Sequence, residues 1–401
     1  MLSFIKVLEW KNISFNSREG RFNILFCYFW VLLEVKGYIH AIIKMILGES
    51  VADAGVLVVS TFIFLLGLSY ILKKLKSGDC LFYVSFFFLY LFSLLLSSGE
   101  QNSYLIENAY LILFITAPMY FVGINAKPNK IFNLLYLLST ICIIGELFFS
   151  VFFQPERDYA PDQISRAYSL LPHVCMATYF VFKKPGILSA GIALMGLFSM
   201  MTFGSRGAIL SYFLFLIVYL LLNFKSNKKA LAIVLFVAVA IIYYIEPIMQ
   251  LLFSYAADFN MSTRIIDKVT GGEFGRSDSR DVIRIYLLNI LKDNPLQFRG
   301  IAGDCIGWVN YAHNIIVELC FDFGIVLGPL MFLLIIVHII RGFVKSQDPI
   351  SKGFLLVIVC GSFIEQFFGG PLQTSFGFFF LMGFCTQQIR ESKSKPYFLK
   401  H

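Results

Sequence analysis

The residue best placed for chemistry is a histidine at the end of a long polar stretch, which runs from about Glu246 to His313 in an otherwise apolar chain. A histidine can accept a proton at neutral pH, because its unperturbed pKa is about 6.5. His313 is therefore a candidate general base, and Asn314 is a candidate to orient its ring or to bind substrate hydroxyl groups. A lone histidine near a membrane surface often only hydrogen-bonds the backbone. The residues around His313 are therefore needed to distinguish a catalytic role from a structural one.

Arginines form the second candidate group, and they lie within the same stretch: Arg264, Arg276, Arg280, Arg284 and Arg299. The planar guanidinium group binds pairs of phosphate oxygens, which suits an anionic ligand. The arginines at 276, 280 and 284 are spaced by four residues, so a helix places them on one face. Three like charges in a row need a negative neighbour. A diphosphate ligand would provide one, and so would Asp278 and Asp281; the sequence leaves both explanations open.

The turn Ser205-Arg206-Gly207 is a further candidate anion site. Ser205 is predicted to cap a helix that begins at Arg206, because a serine oxygen accepts hydrogen bonds from the first N–H groups of a helix. These N–H groups favour anions, and the Arg206 guanidinium adds further donors. An arginine at this position can equally serve only to anchor the helix at the membrane surface.

A helix is also predicted within the polar stretch, from Ser279 onwards. Apolar residues recur there at helical spacing and place one hydrophobic face opposite the charged one: Ile283, Tyr286, Leu287 and Ile290. Two histidines outside the stretch, His173 and His338, lie within apolar runs, and we assign them structural roles.

The composition is that of an integral membrane protein. Of the 401 residues, 58% are hydrophobic and only 14% are charged, with a mean hydropathy of +0.75; soluble domains have about 25% charged residues. The net charge of +8 does not indicate a nucleic-acid partner, because the lysines lie in short loops between apolar runs. The eight cysteines have no CxxC spacing, and Asp-x-Asp is absent. We therefore predict no disulfide framework, no metal site and no cofactor.

The apolar runs predict an all-α fold with about twelve transmembrane helices, since a span needs about 20 mostly apolar residues. The candidate spans lie near 22–42, 54–72, 80–98, 106–124, 131–153, 167–182, 186–203, 207–223, 229–246, 322–340, 353–369 and 374–389. The predicted organisation places helices one to nine in 1–246, a large extracytoplasmic loop in 247–313, and helices ten to twelve with the tail in 314–401.

Basic residues predict the orientation of these spans. Most of the 33 lysines and arginines lie in the two ends of the chain and in alternate loops, at 73–76, 127–130, 183–184, 225–229 and 341–352. The positive-inside rule makes this face cytoplasmic, with both termini inside. The opposite face is rich in arginine rather than lysine, which favours an anionic ligand outside the membrane. Its eight arginines are Arg157, Arg166, Arg206, Arg264, Arg276, Arg280, Arg284 and Arg299. The alternative is that these arginines contact lipid headgroups or pair with nearby acids.

Three features in this order resemble a known family: the Ser-Arg-Gly turn, an outer loop with Gly275-Arg276 and Asn294-Pro295-Leu296, and an ending that reads YAHNIIVELCFDFGIVLG from Tyr311. The chain resembles the bacterial polysaccharide polymerase and O-antigen ligase superfamily, which includes Wzy-type polymerases and WaaL-type ligases. The motif likeness covers roughly residues 190–345, and the topology likeness covers the whole chain.

The resemblance implies an O-antigen repeat-unit polymerase in the bacterial inner membrane, with a GT-C-like glycosyltransferase fold. Its donor and acceptor would be oligosaccharides on undecaprenyl diphosphate at the periplasmic face, with membrane lipids and a chain-length regulator as further partners. It makes His313 the catalytic base and gives the diphosphate to Arg206 and Arg280 (or Arg276). Arg264 and Arg284 remain further candidates for substrate binding. The alternatives are an O-antigen ligase, which transfers the glycan to lipid A–core, and a flippase or other transporter of lipid-linked oligosaccharide.

We expect residues 247–312 to lie outside the cytoplasm. Alkaline phosphatase fused within 265–300 should be active and β-galactosidase at the same positions inactive, because each enzyme works only on its own side of the membrane. Fusions after Lys229, before the ninth predicted span, should give the reverse pattern. Active β-galactosidase within 265–300 would contradict this topology.

Overall fold

The protein is a helical membrane protein, as its composition predicts. The computed structural model is 83% helical, and its described part contains no strand. Within the residues that the structure describes, four helices are long and apolar enough to cross a membrane: α1 (Ser77–Leu96), α2 (Gly99–Asn125), α8 (Ile315–Lys345) and α9 (Pro349–Phe367). The residues that the structure describes are 26–27, 29–31, 58, 76–152, 160–203, 205–224 and 279–394.

Six further helices complete the described part of the chain: α3 (Phe132–Phe152), α4 (Ala160–Lys183), α5 (Ile187–Thr202), α6 (Arg206–Leu222), α7 (Ser279–Asp293) and α10 (Phe376–Ser394). Each predicted span that falls in this part coincides with a helix. The spans predicted near 22–42, 54–72 and 229–246 lie outside the described residues, apart from a few positions at 26–31 and 58. α7 confirms the helix predicted from Ser279.

The chain divides into two compact units that do not follow its linear order. One unit contains α1, α2 and α7–α10, and the other contains α3–α6. The predicted organisation, which separated 1–246, 247–313 and 314–401, groups helices by sequence alone. In the structure, the end of the polar stretch belongs to the same unit as α1 and α2, although about 200 residues separate them.

Small residues allow close packing in the first unit. The last turn of α2 crosses α10 so closely that a side chain at Gly383 would overlap the carbonyl oxygen of Tyr120, and one at Gly123 would overlap that of Phe380. Glycines at helix crossings are the usual means of close approach in membranes, where lipid supplies no hydrophobic drive for helix association. α10 is also tied to α1 by Arg390, whose two terminal nitrogens donate to the buried carboxylate of Asp79 at 2.6 and 3.0 Å.

The second unit contains structural polar contacts. Arg166, one of the arginines predicted on the outer face, forms an ion pair with the buried carboxylate of Glu146. For this arginine, pairing with an acid is therefore the correct alternative. His173 is buried, and its Nδ1 lies 3.3 Å from the Ser139 hydroxyl, which agrees with the structural role predicted for it.

The tenth span begins earlier than predicted. The sequence suggested 322–340, whereas α8 begins at Ile315 and continues through a non-helical residue at Gly324, which has φ +82°. The predicted span lies within α8; it began at Asp322 and left out Glu318, which would be unfavourable in lipid. Both are only 2–3% exposed, so protein rather than lipid surrounds them.

Candidate active site

The segment between α7 and α8, residues 294–314, forms a loop that is fastened at its start to the kink of α8. The Pro295 carbonyl accepts the Ile325 N–H at 2.9 Å, just after Gly324, where α8 has lost its regular helical geometry. The N–H groups of Arg299 and Gly300 then donate to the Asp322 carbonyl at 2.8 and 2.9 Å. The Asn-Pro-Leu motif thus supplies a backbone acceptor at a point where the helix ladder is broken.

α1 and α2 support the same loop from the other side. The Ser93 hydroxyl of α1 accepts the Ile301 N–H at 2.8 Å, and the Gln101 amide of α2 donates to the carbonyls of Arg299 and Ile301. Gly300 has φ +80°, and any side chain there would collide with Ser93. Hydrogen bonds and close packing therefore fix this loop to α1 and α2.

Three buried carboxylates lie where the loop meets α8: Asp304 of the loop, and Glu318 and Asp322 of the helix. We call them the acidic cluster. Their exposures are 0, 2 and 3%, and one oxygen of each lies within 4.8 Å of the others. Within the part of the chain that the structure describes, they are the residues that could hold a metal ion. The sequence prediction of no metal signature missed them, because Asp304 joins the other two only through folding.

Backbone N–H groups hold the acidic cluster in place. Ala312 donates to Asp304 Oδ2 at 2.6 Å, Leu372 donates to Glu318 Oε1 at 2.8 Å, and Asp304 donates to Asp322 Oδ1 at 3.2 Å. Burial raises the pKa of Asp304 to about 6, and the Ala312 hydrogen bond opposes this rise. The cluster thereby links the loop, α8 and the short turn that follows α9.

His313, the candidate base, directly follows Ala312, whose N–H donates to Asp304. Its backbone has a conformation that few residues other than glycine adopt. His313 has φ +54°, and its side chain is half-buried. The residues on either side are fixed, because Ala312 donates to Asp304 and Asn314 Oδ1 accepts the N–H groups of Ile316 and Val317 at 3.0 and 3.2 Å. Such strained positions persist where the surrounding contacts determine them, and they are frequent at functional sites.

Two of the predicted arginines reach this region from α7. Arg284 Nη2 donates to the His313 carbonyl at 3.2 Å, and Arg284 Nη1 pairs with Asp281 at 3.2 Å. Arg280 Nη1 donates to the Phe368 carbonyl at 2.6 Å. The apolar face of α7 packs against the same unit through buried Leu287 and partly buried Ile283, among others. This packing fixes the direction of the opposite face, which carries Arg280 and Arg284.

Tyr311 packs against the histidine, and Glu365 interacts with Tyr311. The Tyr311 ring lies 3.9 Å from the His313 ring, centroid to centroid. Its hydroxyl hydrogen-bonds the backbone of Gly370, and its pKa is raised mainly by burial, against the opposing charge of Arg280. Glu365 also interacts with Tyr311 electrostatically.

The predicted site residues therefore fall into three groups. The structure brings Arg280, Arg284, His313 and Asn314 together in the first unit. It describes only the backbone of Arg206, which begins α6 as predicted, with Ser205 Oγ accepting the Ala208 N–H. Arg264 and Arg276 lie outside the described residues. Of the predicted face of three arginines, the structure therefore describes Arg280 and Arg284.

Arg299 has a structural role in this loop. Its guanidinium group stacks over the Phe321 ring at 4.2 Å and donates to the Phe321 carbonyl at 3.1 Å. Burial lowers its pKa. His338 is similarly occupied, since its Nε2 lies 3.1 Å from both the Met382 carbonyl and the Thr386 hydroxyl, in agreement with its predicted structural role.

This arrangement combines a histidine, an adjacent phenol, a buried carboxylate and two guanidinium groups at the start of a long apolar helix. Such a set can remove a proton from a hydroxyl group and stabilise negative charge on a nearby oxygen. The chain matches no protein-family model and no curated protein.

Asn314 is expected to stabilise the start of α8. Asn314→Ala should lower the free energy of unfolding by about 1 kcal/mol, because the cap oxygen is lost. Asn314→Asp keeps an acceptor and places negative charge at a helix N-terminus, so it should be close to wild type. Unfolding of the purified variants in detergent tests this, with Asn310→Ala, an exposed position in the same loop, as control. An Asn314→Ala protein as stable as that control would contradict the capping role.

Proposed function

We propose that this protein is a membrane glycosyltransferase that joins oligosaccharide units carried on undecaprenyl diphosphate, and that it is an O-antigen repeat-unit polymerase. The observation that carries the proposal is the hydrogen bond from Arg284 to the His313 carbonyl. This hydrogen bond supports the proposal because it brings a guanidinium group, a type of group that can bind phosphate, next to the candidate base from an element that is separate in sequence. His313 also belongs to one of the motifs on which the family resemblance depends.

In the proposed reaction His313 acts on the acceptor sugar. The acceptor hydroxyl oxygen forms a bond to the anomeric carbon of the donor sugar, while the bond from that carbon to the diphosphate oxygen breaks. The hydroxyl proton moves to the His313 imidazole, and undecaprenyl diphosphate leaves. Tyr311 packs against the imidazole and limits its orientation, so that the proton acceptor faces one direction.

The arginines act on the leaving group in this proposal. A guanidinium group stabilises a departing diphosphate most when its donors already point to where charge develops. Arg280 and Arg284 each use one terminal nitrogen on a backbone carbonyl, which fixes the side chain while leaving other N–H groups for phosphate oxygens. Arg284 also contacts Asp281, so we assign the larger share of diphosphate binding to Arg280, with Arg206, Arg264 and Arg276 as further ligands.

The wider architecture belongs to the same proposal. The chain would have twelve spans in a GT-C-like arrangement, both termini in the cytoplasm and the loop 247–313 in the periplasm of the bacterial inner membrane. A lipid-linked substrate could then reach His313 from the membrane, because the residue lies immediately before the apolar helix α8. A transporter would instead be expected to carry its charged site at mid-depth between broken helices.

Removal of the base should reduce the rate of glycan transfer by about 10²–10⁴-fold while donor binding is retained. His313→Asn tests this best, because asparagine tolerates the left-handed backbone conformation. His313→Gly is the second variant, since it accepts the same backbone and also lacks the imidazole. The measurement is elongation by the purified protein of a lipid-diphosphate-linked oligosaccharide, per folded molecule, alongside the binding of that donor.

His338→Asn is the matched control, because this histidine is occupied between α8 and α10 and should leave the rate per folded protein near wild type. If His313→Asn elongates glycan within a few-fold of wild type, His313 is not the base. Gels of surface glycan from the native host distinguish the two transferases. A deletion that leaves one repeat on the core indicates a lost polymerase, and bare core indicates a lost ligase.

A further inference from the structure

The acidic cluster presents an electrostatic problem that its surroundings do not solve. Asp304, Glu318 and Asp322 are almost fully buried, and within the described residues no lysine or arginine forms an ion pair with any of them. A buried carboxylate that is not paired is strongly disfavoured. Backbone N–H groups offset part of the cost, but they carry no net charge. The Arg299 guanidinium interacts electrostatically with Asp322 and offsets part of this charge. Three carboxylates within 4.8 Å of one another still need further neutralisation, either by protons or by a bound cation.

A separate observation identifies the oxygen atom that a bound cation would contact. Asp304 Oδ2 accepts the Ala312 N–H, whereas its other oxygen, Oδ1, is buried and has no hydrogen-bond partner. Buried acceptors are nearly always satisfied. An unsatisfied oxygen on a carboxylate that is 0% exposed, at the centre of two further carboxylates, is the donor atom that a bound cation would use.

A second buried polar group, the side-chain amide of Gln373, lies beside the cluster and donates a hydrogen bond to the Tyr104 hydroxyl. Gln373 is 4% exposed and follows Leu372, whose N–H donates to Glu318 Oε1. Its side chain reaches Tyr104, which interacts electrostatically with Asp304 and Glu318. An amide nitrogen in this position can donate to a water molecule that belongs to the coordination shell of an ion.

We propose that the acidic cluster binds one hard divalent cation of the Ca²⁺ type. Three carboxylates supply oxygen only, which selects Ca²⁺ or Mg²⁺ over the softer transition metals. The nearby Cys305 thiol donates to the Asn310 carbonyl at 2.8 Å and is not among the grouped ligands. Ca²⁺–oxygen distances are about 2.3–2.6 Å, so oxygens up to about 5 Å apart can share one ion. Ca²⁺ fits a buried site better than Mg²⁺, because Mg²⁺ retains most of its water.

The ion would act on the loop, and this role does not depend on the proposed enzymatic activity. Asp304 belongs to the loop, while Glu318 and Asp322 lie four residues apart on α8, so a cation shared by all three joins the loop to the helix. Loss of the ion would leave like charges facing one another across this junction. The cation thus fixes the loop through Asp304, whose Oδ2 holds the amide of Ala312.

The test uses the full chain, purified in detergent, treated with EDTA and freed of the chelator. Titration with CaCl₂ by calorimetry should give one Ca²⁺ per chain. The thermal unfolding midpoint should rise by roughly 4 °C at a hundredfold excess over Kd, because the ion binds only the folded state. MgCl₂ should produce a smaller rise. Metal analysis of protein purified without chelator gives an independent readout.

Asp304→Asn should weaken Ca²⁺ binding by at least about tenfold, since it keeps an acceptor for the Ala312 amide but removes one charge. Glu318→Gln is the second variant if the first does not accumulate. Asp293→Asn, at the exposed end of α7, is the matched control and should bind like wild type. The proposal is overturned if wild type neither contains nor binds Ca²⁺ or Mg²⁺ at millimolar concentration, which would mean that protons neutralise the cluster. It is equally overturned if Asp304→Asn binds Ca²⁺ as tightly as wild type.

Discussion

The candidate site depends on backbone amides that donate to buried carboxylates. Asp304 receives the amide of Ala312, Glu318 receives that of Leu372, and Asp322 receives that of Asp304. The first closes the loop on itself, and the other two join it to α8 and join α8 to the turn after α9. Each is charge-assisted when its carboxylate is ionised, which makes it stronger than a neutral hydrogen bond. Together they determine where the loop returns to α8, and therefore where the side chain of His313 lies.

The same constraint accounts for the unusual backbone of His313. A non-glycine residue with positive φ costs free energy of about 1–3 kcal/mol, and neighbours must hold it in place. Here Ala312 is tied to Asp304, Asn314 caps α8, and Arg284 donates to the His313 carbonyl. In the proposed enzyme this cost serves to direct the imidazole, since a general base must meet its proton within hydrogen-bond distance.

Local patterns in the sequence predicted local features of this structure well. The spacing of Ile283 and Leu287 predicted α7, and Ser205 was correctly identified as the cap of α6. Both depend on neighbouring residues alone: an apolar face at helical period and a side-chain acceptor at a helix start. The membrane class followed from composition for the same reason, because each span carries its own signal.

Features that depend on tertiary contacts were missed. The predicted span began at Asp322, whereas α8 begins at Ile315, because Glu318 is unfavourable in lipid as long as its burial by protein is unknown. The acidic cluster was not foreseen, since Asp304 shares no spacing with the other two residues. Likewise, Arg166 and Arg299 could not be distinguished from ligand-binding arginines until Glu146 and Phe321 were seen beside them. Charge and residue type predict that an arginine has an anionic, carbonyl or aromatic partner, but only the fold shows which residue that partner is.

The most direct test of the proposed function is transfer by the purified protein in a closed system. The protein is reconstituted in vesicles with undecaprenyl-diphosphate-linked oligosaccharide as its sole substrate, and the lipid-extracted products are analysed by mass spectrometry. A polymerase should yield lipid-linked chains of two or more repeats, together with one undecaprenyl diphosphate for each bond formed. Movement of the intact substrate across the bilayer, with no new glycosidic bond and no released undecaprenyl diphosphate, would contradict a glycosyltransferase and favour a transporter.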